Sequence, residues 1–344
     1  MADSRTSGDR AIGGDCIRRG TCVALGAGRR GRDKSRPYLM DWCASSNLPC
    51  IHMKFAFSTI GCPTWDFDTI VLRAKEYGYD GVEVRGFLNE SILTAANVFL
   101  SDPAKVRRTF GDAGVGICCL ASSIAYAQNK KRDAQLAGDL KLFIETATSI
   151  GCPMVKIFDT QVKAGKSRSG ISSAFGDWLV PLADFAAQHD VTIMIENALS
   201  FRSAKEMWTI MDRLSHPSIG VCWDIFNAAM IGEQPSVSVP VLNQRIGYVQ
   251  VKDAKFGTLG ATYCKLGEGD VPVRKFLTRL RGIGYNGWVT LEWEKAWLAN
   301  LAEPEEIFPD AITKLREWTQ TLEISDWEAD AVKSGKIAPA KAKH

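Results

Sequence analysis

VTIMIE (191–196), IGVCWD (219–224), IGYVQ (246–250) and WVTLE (288–292) decide how this chain folds. Each is a short apolar run rich in β-branched residues, and each ends on an oxygen-bearing side chain: Glu196, Asp224, Gln250 and Glu292. Loop residues and then a helical pattern follow every run, which is how buried parallel strands read. Side chains alternate across a strand, so Met194 shares a face with Glu196, Cys222 with Asp224, Tyr248 with Gln250, and Thr290 with Glu292. The opposite faces carry Ile193, Ile195, Ile219, Val221, Val249, Val251, Val289 and Leu291, as a helix-covered outside requires. Four polar ends therefore converge. Read with no lysine or arginine alternating among them, three carboxylates and an amide would repel one another unless a cation sat between them.

The same alternation of strand and helix runs outward in both directions. Order is expected to begin at Met53, with KFAFST as a strand, GCPTWDFD leading into a helix that Asp66 or Asp68 caps, and GVEVRG as the second strand. Asp102-Pro103 opens a helix through about Phe110, and VGICCLAS is the third strand. LAGDLKLFIETATSIG (136–151) has helical periodicity, MVKIF is the fourth strand, and a helix is expected over about 174–188. Ser203 and Glu206 have capping-box spacing. Beyond strand seven, Asp270 and Pro272 are suited to start a helix that Gly282 or Gly284 stops. Gly78-Tyr79-Asp80-Gly81 and Gly284-Tyr285-Asn286-Gly287 echo each other, both between a helix and the next strand. Eight strands separated by helices predict an α/β fold of the (β/α)8 TIM barrel type, a single domain over 53–322. No GxGxxG follows the first strand, so a dinucleotide has no foothold. The active sites of such barrels lie at the C-terminal strand ends, where the four polar residues fall.

Residues 1–52 differ from the rest. They are rich in Gly, Arg and Ser and lack both periodicity and the apolar core of a signal peptide, which predicts a disordered basic extension ahead of a candidate start at Met53. A basic tethering arm is the functional alternative. Residues 323–344 read as a polar C-terminal tail. A composition 46% hydrophobic and 24% charged, with a net charge of +3, is that of a globular domain without the basic, aromatic-interleaved stripe of a nucleic-acid binder. Ten cysteines without a CxxC pair read as buried thiols of a cytoplasmic protein. No apolar run is long enough to span a membrane.

Carboxylate and amide oxygens are hard donors. A set made of Glu196, Asp224, Gln250 and Glu292 suits Mn²⁺ or Mg²⁺ better than Zn²⁺ or Cu²⁺, and none of the four histidines falls at a strand end. An ion bound to a carbonyl and its neighbouring hydroxyl acidifies the C–H between them, and Glu196 and Glu292 would move the proton. That chemistry serves isomerisation, epimerisation, or loss of water β to a ketone, on a small sugar or polyol. Taken singly, a strand-end carboxylate is often a helix cap or a lysine's partner; four at matching ends argue for a site. Glu294 shares a face with Glu292 and is the alternative ligand. Lys252 either polarises a substrate oxygen or neutralises the acidic mouth. Glu83, Arg85 and Lys156 have lumen parity, and structural Glu83–Arg85 or Glu83–Lys156 pairs are expected. Trp65, Phe226 and Trp297 stand in loops on the active face, suited to cover a sugar ring, with core packing equally open to Phe226.

With these residues in view, 53–320 resembles the xylose isomerase-like TIM barrels, the sugar phosphate isomerase/epimerase group. The resemblance rests on KFAFSTIGCP, GYDGVEVR, IEN, WDIFNAAMIG, VQVKDA, LGEGDVP and GYNGWVTLEWE. It implies that Glu196, Asp224, Gln250 and Glu292 hold one divalent metal ion and that the two glutamates are the acid/base pair of a metal-stabilised enediolate mechanism. Asn227, Lys252 and Glu268 would face the substrate. Many members have His where this chain has Gln250, although Gln occurs in hydroxypyruvate isomerase and dehydroshikimate dehydratase types. The ketose 3-epimerases often have His at the place of Asn227. A metal-dependent dehydratase of a cyclic keto-polyol such as inosose or 3-dehydroshikimate, and a non-catalytic sugar-binding barrel, are the alternatives. Such barrels often pair, so a homodimer is allowed.

Overall fold

The computed structural model describes residues 52–85 and 102–320. Apart from His52, the expected basic extension and the expected 323–344 tail lie outside the described residues. Ten strands follow in chain order: β1 Lys54–Ser58, β2 Gly81–Val84, β3 Gly116–Ala121, β4 Met154–Phe158, β5 Thr192–Glu196, β6 Ile219–Asp224, β7 Ile246–Val251, β8 Asp253–Gly257, β9 Gly260–Cys264 and β10 Trp288–Leu291. Among them β1 to β7 and β10 pair in parallel and close into a barrel in which β10 joins β7 to β1.

Alternation along the strands sorts the core into two compartments. Ile193, Ile195, Ile219, Val221, Val249, Val251, Val289 and Leu291 pack outward with the helices, as expected from their parity. Ala56, Cys118, Cys119, Met154, Met194, Cys222 and Tyr248 fill the lumen below the polar ends. Burying each outward Val, Leu or Ile is worth about 1.5–3 kcal/mol, so a one-residue slip of any strand would forfeit several such terms together. Of the described thiols, Cys62, Cys118, Cys119, Cys152 and Cys222 are buried and Cys264 is half-buried; burial pushes Cys152 up to about 12. No helix among the described residues is long and apolar enough to cross a membrane.

The helices are α1 Phe67–Tyr77, α2 Pro103–Ala113, α3 Lys130–Ile150, α4 Arg168–Ala187, α5 Ala204–Arg213, α6 Ile225–Ala229, α7 Pro235–Leu242, α8 Val273–Gly282 and α9 Pro304–Gln320. Their caps match the sequence in most places. Asp66 accepts from Thr69 N, Asp102 from Lys105 N, and Ser203 and Glu206 close a reciprocal capping box. Gly78 and Gly284, the glycines of the echoed turn, both adopt positive φ (82° and 76°), where a Cβ would be strained. Helices α3 and α4 start earlier than apolar periodicity alone indicates. Their first turns are polar, and the starts are set by Asn129 accepting from Arg132 N and Ser167 accepting from Gly170 N.

Two features depart from the expected pattern. Strands β8 and β9 form an antiparallel hairpin between β7 and α8, where the sequence reads as loop. Asp270 does not cap α8; its carboxylate accepts from Phe256 N at 2.7 Å in the hairpin, and Pro272 precedes the helix without a side-chain cap. The loop after the hairpin is instead fixed by Asp253. Its carboxylate accepts from the backbone N–H of Ala254, Gly267, Gly269 and Val271 at 2.7–3.1 Å.

Candidate active site

Glu196, Asp224 and Gln250 end or nearly end β5, β6 and β7, and Glu292 follows β10 directly. All four are buried, between 0% and 4% exposed. Parallel pairing sets their heights: Phe158 lies opposite Glu196, Asp224 opposite Gln250, and Thr290 opposite Gln250. Asn197 locks β5 to β6, accepting from Asp224 N at 2.7 Å and donating to Asp224 O at 3.0 Å. The asparagine of IEN is thus a brace for the acidic ends.

Charge in this mouth is compensated by the chain itself, which corrects the expectation of carboxylates without interspersed cations. The Lys252 ammonium donates to Asp224 Oδ2 at 2.8 Å, contacts Glu292 Oε2, and lies 2.9 Å from Glu294 Oε1. Lys156, fully buried, contacts Glu196 Oε2. Arg85 Nε lies 4.0 Å from Glu292 Oε1. The expected Glu83–Arg85 and Glu83–Lys156 pairs are replaced by another arrangement. Glu83 accepts from the Tyr248 hydroxyl at 2.8 Å and from Gln250 Nε2 at 3.0 Å. Strand parity gives the face of a residue but not which of several neighbours across the lumen it will reach.

The same surroundings separate the acidities of two neighbours. Burial lifts Asp224 to about 6, with Lys252 opposing the rise and Glu292 and Glu196 adding to it. Burial alone would also raise Glu292, but Lys252, Lys156 and Arg85 hold it at about 2. Burial raises Glu83, and Glu292 adds to that rise against Lys156 and Arg85. Burial would lower Lys252, yet Asp224, Glu292 and Glu294 keep it well above its ordinary value.

Other expected site residues divide. Asn227 lies against the acidic ends: its Nδ2 donates to Glu196 Oε1 at 3.4 Å and its backbone N–H to Asp224 Oδ1 at 3.1 Å. Trp297, 43% exposed at the rim, stacks on the Arg85 guanidinium. Phe226 is buried against Tyr263 and Phe256, the packing alternative. Trp65 is not beside the carboxylates: it packs on Phe57 and Phe308 between strand and closing helix, and its Nε1 donates to Glu305 Oε1 at 3.1 Å. Glu268 is exposed on the loop that Asp253 fixes. Tyr248 was legible only as a lumen residue; its bond to Glu83 depends on a contact across the barrel.

The donor set fits a divalent ion by its chemistry. With every group ionised, Glu83, Glu196, Asp224, Glu292 and Glu294 outnumber Arg85, Lys156 and Lys252 by two charges, which one divalent ion would neutralise. As the side chains stand, no group of three or more His, Cys, Asp or Glu among the described residues is arranged to hold one. The obstacles are specific. Lys252 bridges Asp224 and Glu292, and Gln250 turns Nε2 toward Glu292 while its Oε1 accepts from Cys222 Sγ at 3.4 Å. Loading would require Lys252 to turn toward Glu294 and the Gln250 amide to rotate.

A closed (β/α)8 barrel with acidic and basic groups gathered at its C-terminal strand ends defines the class of protein. The chain belongs to the xylose isomerase-like TIM barrels, whose family model matches residues 71–318. It is similar to a 2-oxo-tetronate isomerase of Pectobacterium atrosepticum, 26% identical over 163 residues, which are 45% of this chain and 60% of the relative. It is also similar to a 3-dehydroshikimate dehydratase of Pseudomonas putida, 24% identical over 233 residues, 62% of this chain and 34% of the relative. The chain thus spans less than two thirds of either curated relative. Solved structures of like fold include an L-ribulose 3-epimerase (TM-score 0.63, 15% identity, 85% of this chain and 100% of that one). Another is the IOLI protein with a bound zinc atom (TM-score 0.63, 17% identity, 78% of this chain and 98% of that one). Relatives and neighbours therefore comprise isomerases, epimerases and a dehydratase.

Proposed function

We propose that this barrel is an isomerase or epimerase of a sugar, keto-polyol or related hydroxy-ketone. One divalent ion, Mn²⁺ or Mg²⁺, would be held by Glu196, Asp224, Gln250 and Glu292. The observation that carries the proposal is the convergence of Glu196 and Glu292, from β5 and the end of β10, on one buried mouth braced by lysines. The ion would polarise a carbonyl and the adjacent hydroxyl, acidifying the C–H between them. The protein's own residues do the rest. Glu292, kept ionised by Lys252, Lys156 and Arg85 against the effect of burial, would accept a proton at its carboxylate once Lys252 turns away and that hold is relaxed. Glu196 stands on the other side with Lys156 fixing one oxygen and Asn227 the other, positioned to return a proton. Asn227 and Lys252 are placed to donate to substrate oxygens once Lys252 leaves Asp224. Trp297 limits water at the rim.

A dehydratase reading uses the same residues, with hydroxide lost β to the ketone, and similarity to the 3-dehydroshikimate dehydratase favours testing it. The full chain, supplied with Mn²⁺ or Mg²⁺, is incubated in D₂O with a panel of hydroxy-ketones and followed by NMR and mass spectrometry. Isomerase or epimerase activity is expected to place deuterium on the carbon next to the carbonyl without loss of mass as water. Water loss would establish the dehydratase. Ligand binding without exchange at any carbon would make the barrel a binding protein and sink both.

A further inference from the structure

Among the described residues three buried cations face the mouth, and one is held differently from the others. Lys156 and Lys252 each touch a carboxylate closely, Lys252 three of them. Arg85, 3% exposed, does not: its Nε is 4.0 Å from Glu292 Oε1, beyond hydrogen-bond reach, and has no hydrogen-bond partner among the described residues. Among the described residues its Nη1 makes only a long bond, 3.4 Å, to Ser122 O. A buried guanidinium whose sole role was structural would be expected to take a carboxylate in its planar fork.

What holds Arg85 instead are two aromatic faces. Its guanidinium carbon lies 5.2 Å from the Phe158 ring centroid and 4.9 Å from that of Trp297, and its backbone N–H is fixed by Thr59 Oγ1 at 3.1 Å. Ring contacts satisfy the faces of a guanidinium but not its N–H donors, which project in the plane. The side chain is thus oriented and desolvated while donor capacity is left unused among the described residues, beside the carboxylate of Glu292. We infer that Arg85 receives a carboxylate or phosphate of the substrate, so that the substrate is an acidic hydroxy-ketone rather than a neutral sugar. The inference rests on the isomerase reading and narrows it. An anionic group seated on Arg85 would set the carbon chain beside Glu292, and Trp297 would hold the guanidinium rather than stack on a sugar ring.

Non-reacting four-carbon probes test this: erythronate, erythritol 4-phosphate and erythritol, titrated calorimetrically into the full chain in EDTA so that no ion reports on the acids. Wild type is expected to bind at least one anion about ten- to a hundredfold more tightly than erythritol, the worth of a charge-assisted bond. The favoured anion identifies carboxylate or phosphate. Arg85→Met should abolish the preference, with any affinity for erythritol kept within about twofold, and Arg85→Lys, which keeps the charge without the fork, should fall between. A thermal melt of each variant confirms folding; if Arg85→Met fails to fold, loss of affinity in Arg85→Lys decides. Failure of both anions to exceed erythritol, or a preference unchanged in the variants, overturns the inference. Turnover of neutral hydroxy-ketones indifferent to Arg85 would remove it while leaving the isomerase reading intact. Arg85-dependent anion binding without exchange at any hydroxy-ketone would do the opposite.

Discussion

Lys252 is the residue on which the chemistry of the mouth turns. Its ammonium lies where Asp224 and Glu292 converge, so the proposed divalent ion would compete with Lys252 for the same oxygens. Lys252→Met is expected to raise Mn²⁺ affinity about tenfold or more, read by calorimetry; unchanged affinity would show that the ammonium does not guard the site. Glu196→Gln and Glu292→Gln are each expected to lower kcat by roughly 10²–10⁴ on whichever hydroxy-ketone is turned over. Either variant at wild-type rate would remove that glutamate from the proton path. Acidity gives an independent check on metal-free protein. Asp224, raised from 3.8 to about 6, adds stability below its ordinary value that is lost as pH rises through about 6. Glu292, lowered from 4.5 to about 2, adds stability above its ordinary value that is lost as pH falls through about 2. Denaturant titrations should therefore show Asp224→Asn flattening the decline between pH 4 and 6 and Glu292→Gln flattening the loss below 4.5. Slopes identical to wild type would contradict those environments. At this scale the sequence revealed which side chains face the lumen, because parity is local. It did not reveal that Lys252 bridges two carboxylates or that Tyr248 holds Glu83, because both depend on distances across the barrel.

At the scale of elements, the loop between β7 and α8 is held by one carboxylate. Asp253 collects four backbone N–H groups, and a Cβ at Gly269 would stand 2.2 Å from Asp253 Oδ1 and 2.5 Å from Ala254 O. Asp253→Asn puts an amide against those donors and is expected to cost about 1–3 kcal/mol in denaturant melts, and Gly269→Ala should destabilise through backbone displacement. A neutral result for both would mean that the loop is fixed by other contacts. Breaking the capping box with Ser203→Ala should cost about 0.5–2 kcal/mol. The box and the αL glycine after α1 were legible because caps are short-range. The β8–β9 hairpin was not, since its residues are largely exposed and lack an apolar run; Leu259 stands exposed in the turn that joins the two strands.

The molecule as a whole follows from repetition. Eight apolar runs of matching length, each followed by a helix, leave a closed barrel as the arrangement that buries every strand on both faces. This was the most legible level, because Ile193, Val221 and Val249 report burial outside while Met194, Cys222 and Tyr248 report it inside. The proposed chemistry requires a divalent ion, and one measurement addresses that directly. The full chain, stripped with EDTA and dialysed, is titrated with Mn²⁺ and with Mg²⁺ while binding and melting temperature are followed, beside Glu196→Gln and Glu292→Gln. The expected result is one ion per chain, stabilising by about 2.7 kcal/mol at a hundredfold excess over Kd, with weaker binding in both variants. Absence of binding by either ion, with melting temperatures unmoved in all three proteins, would contradict a metal-dependent site and leave the mouth as an internally paired cluster of charges.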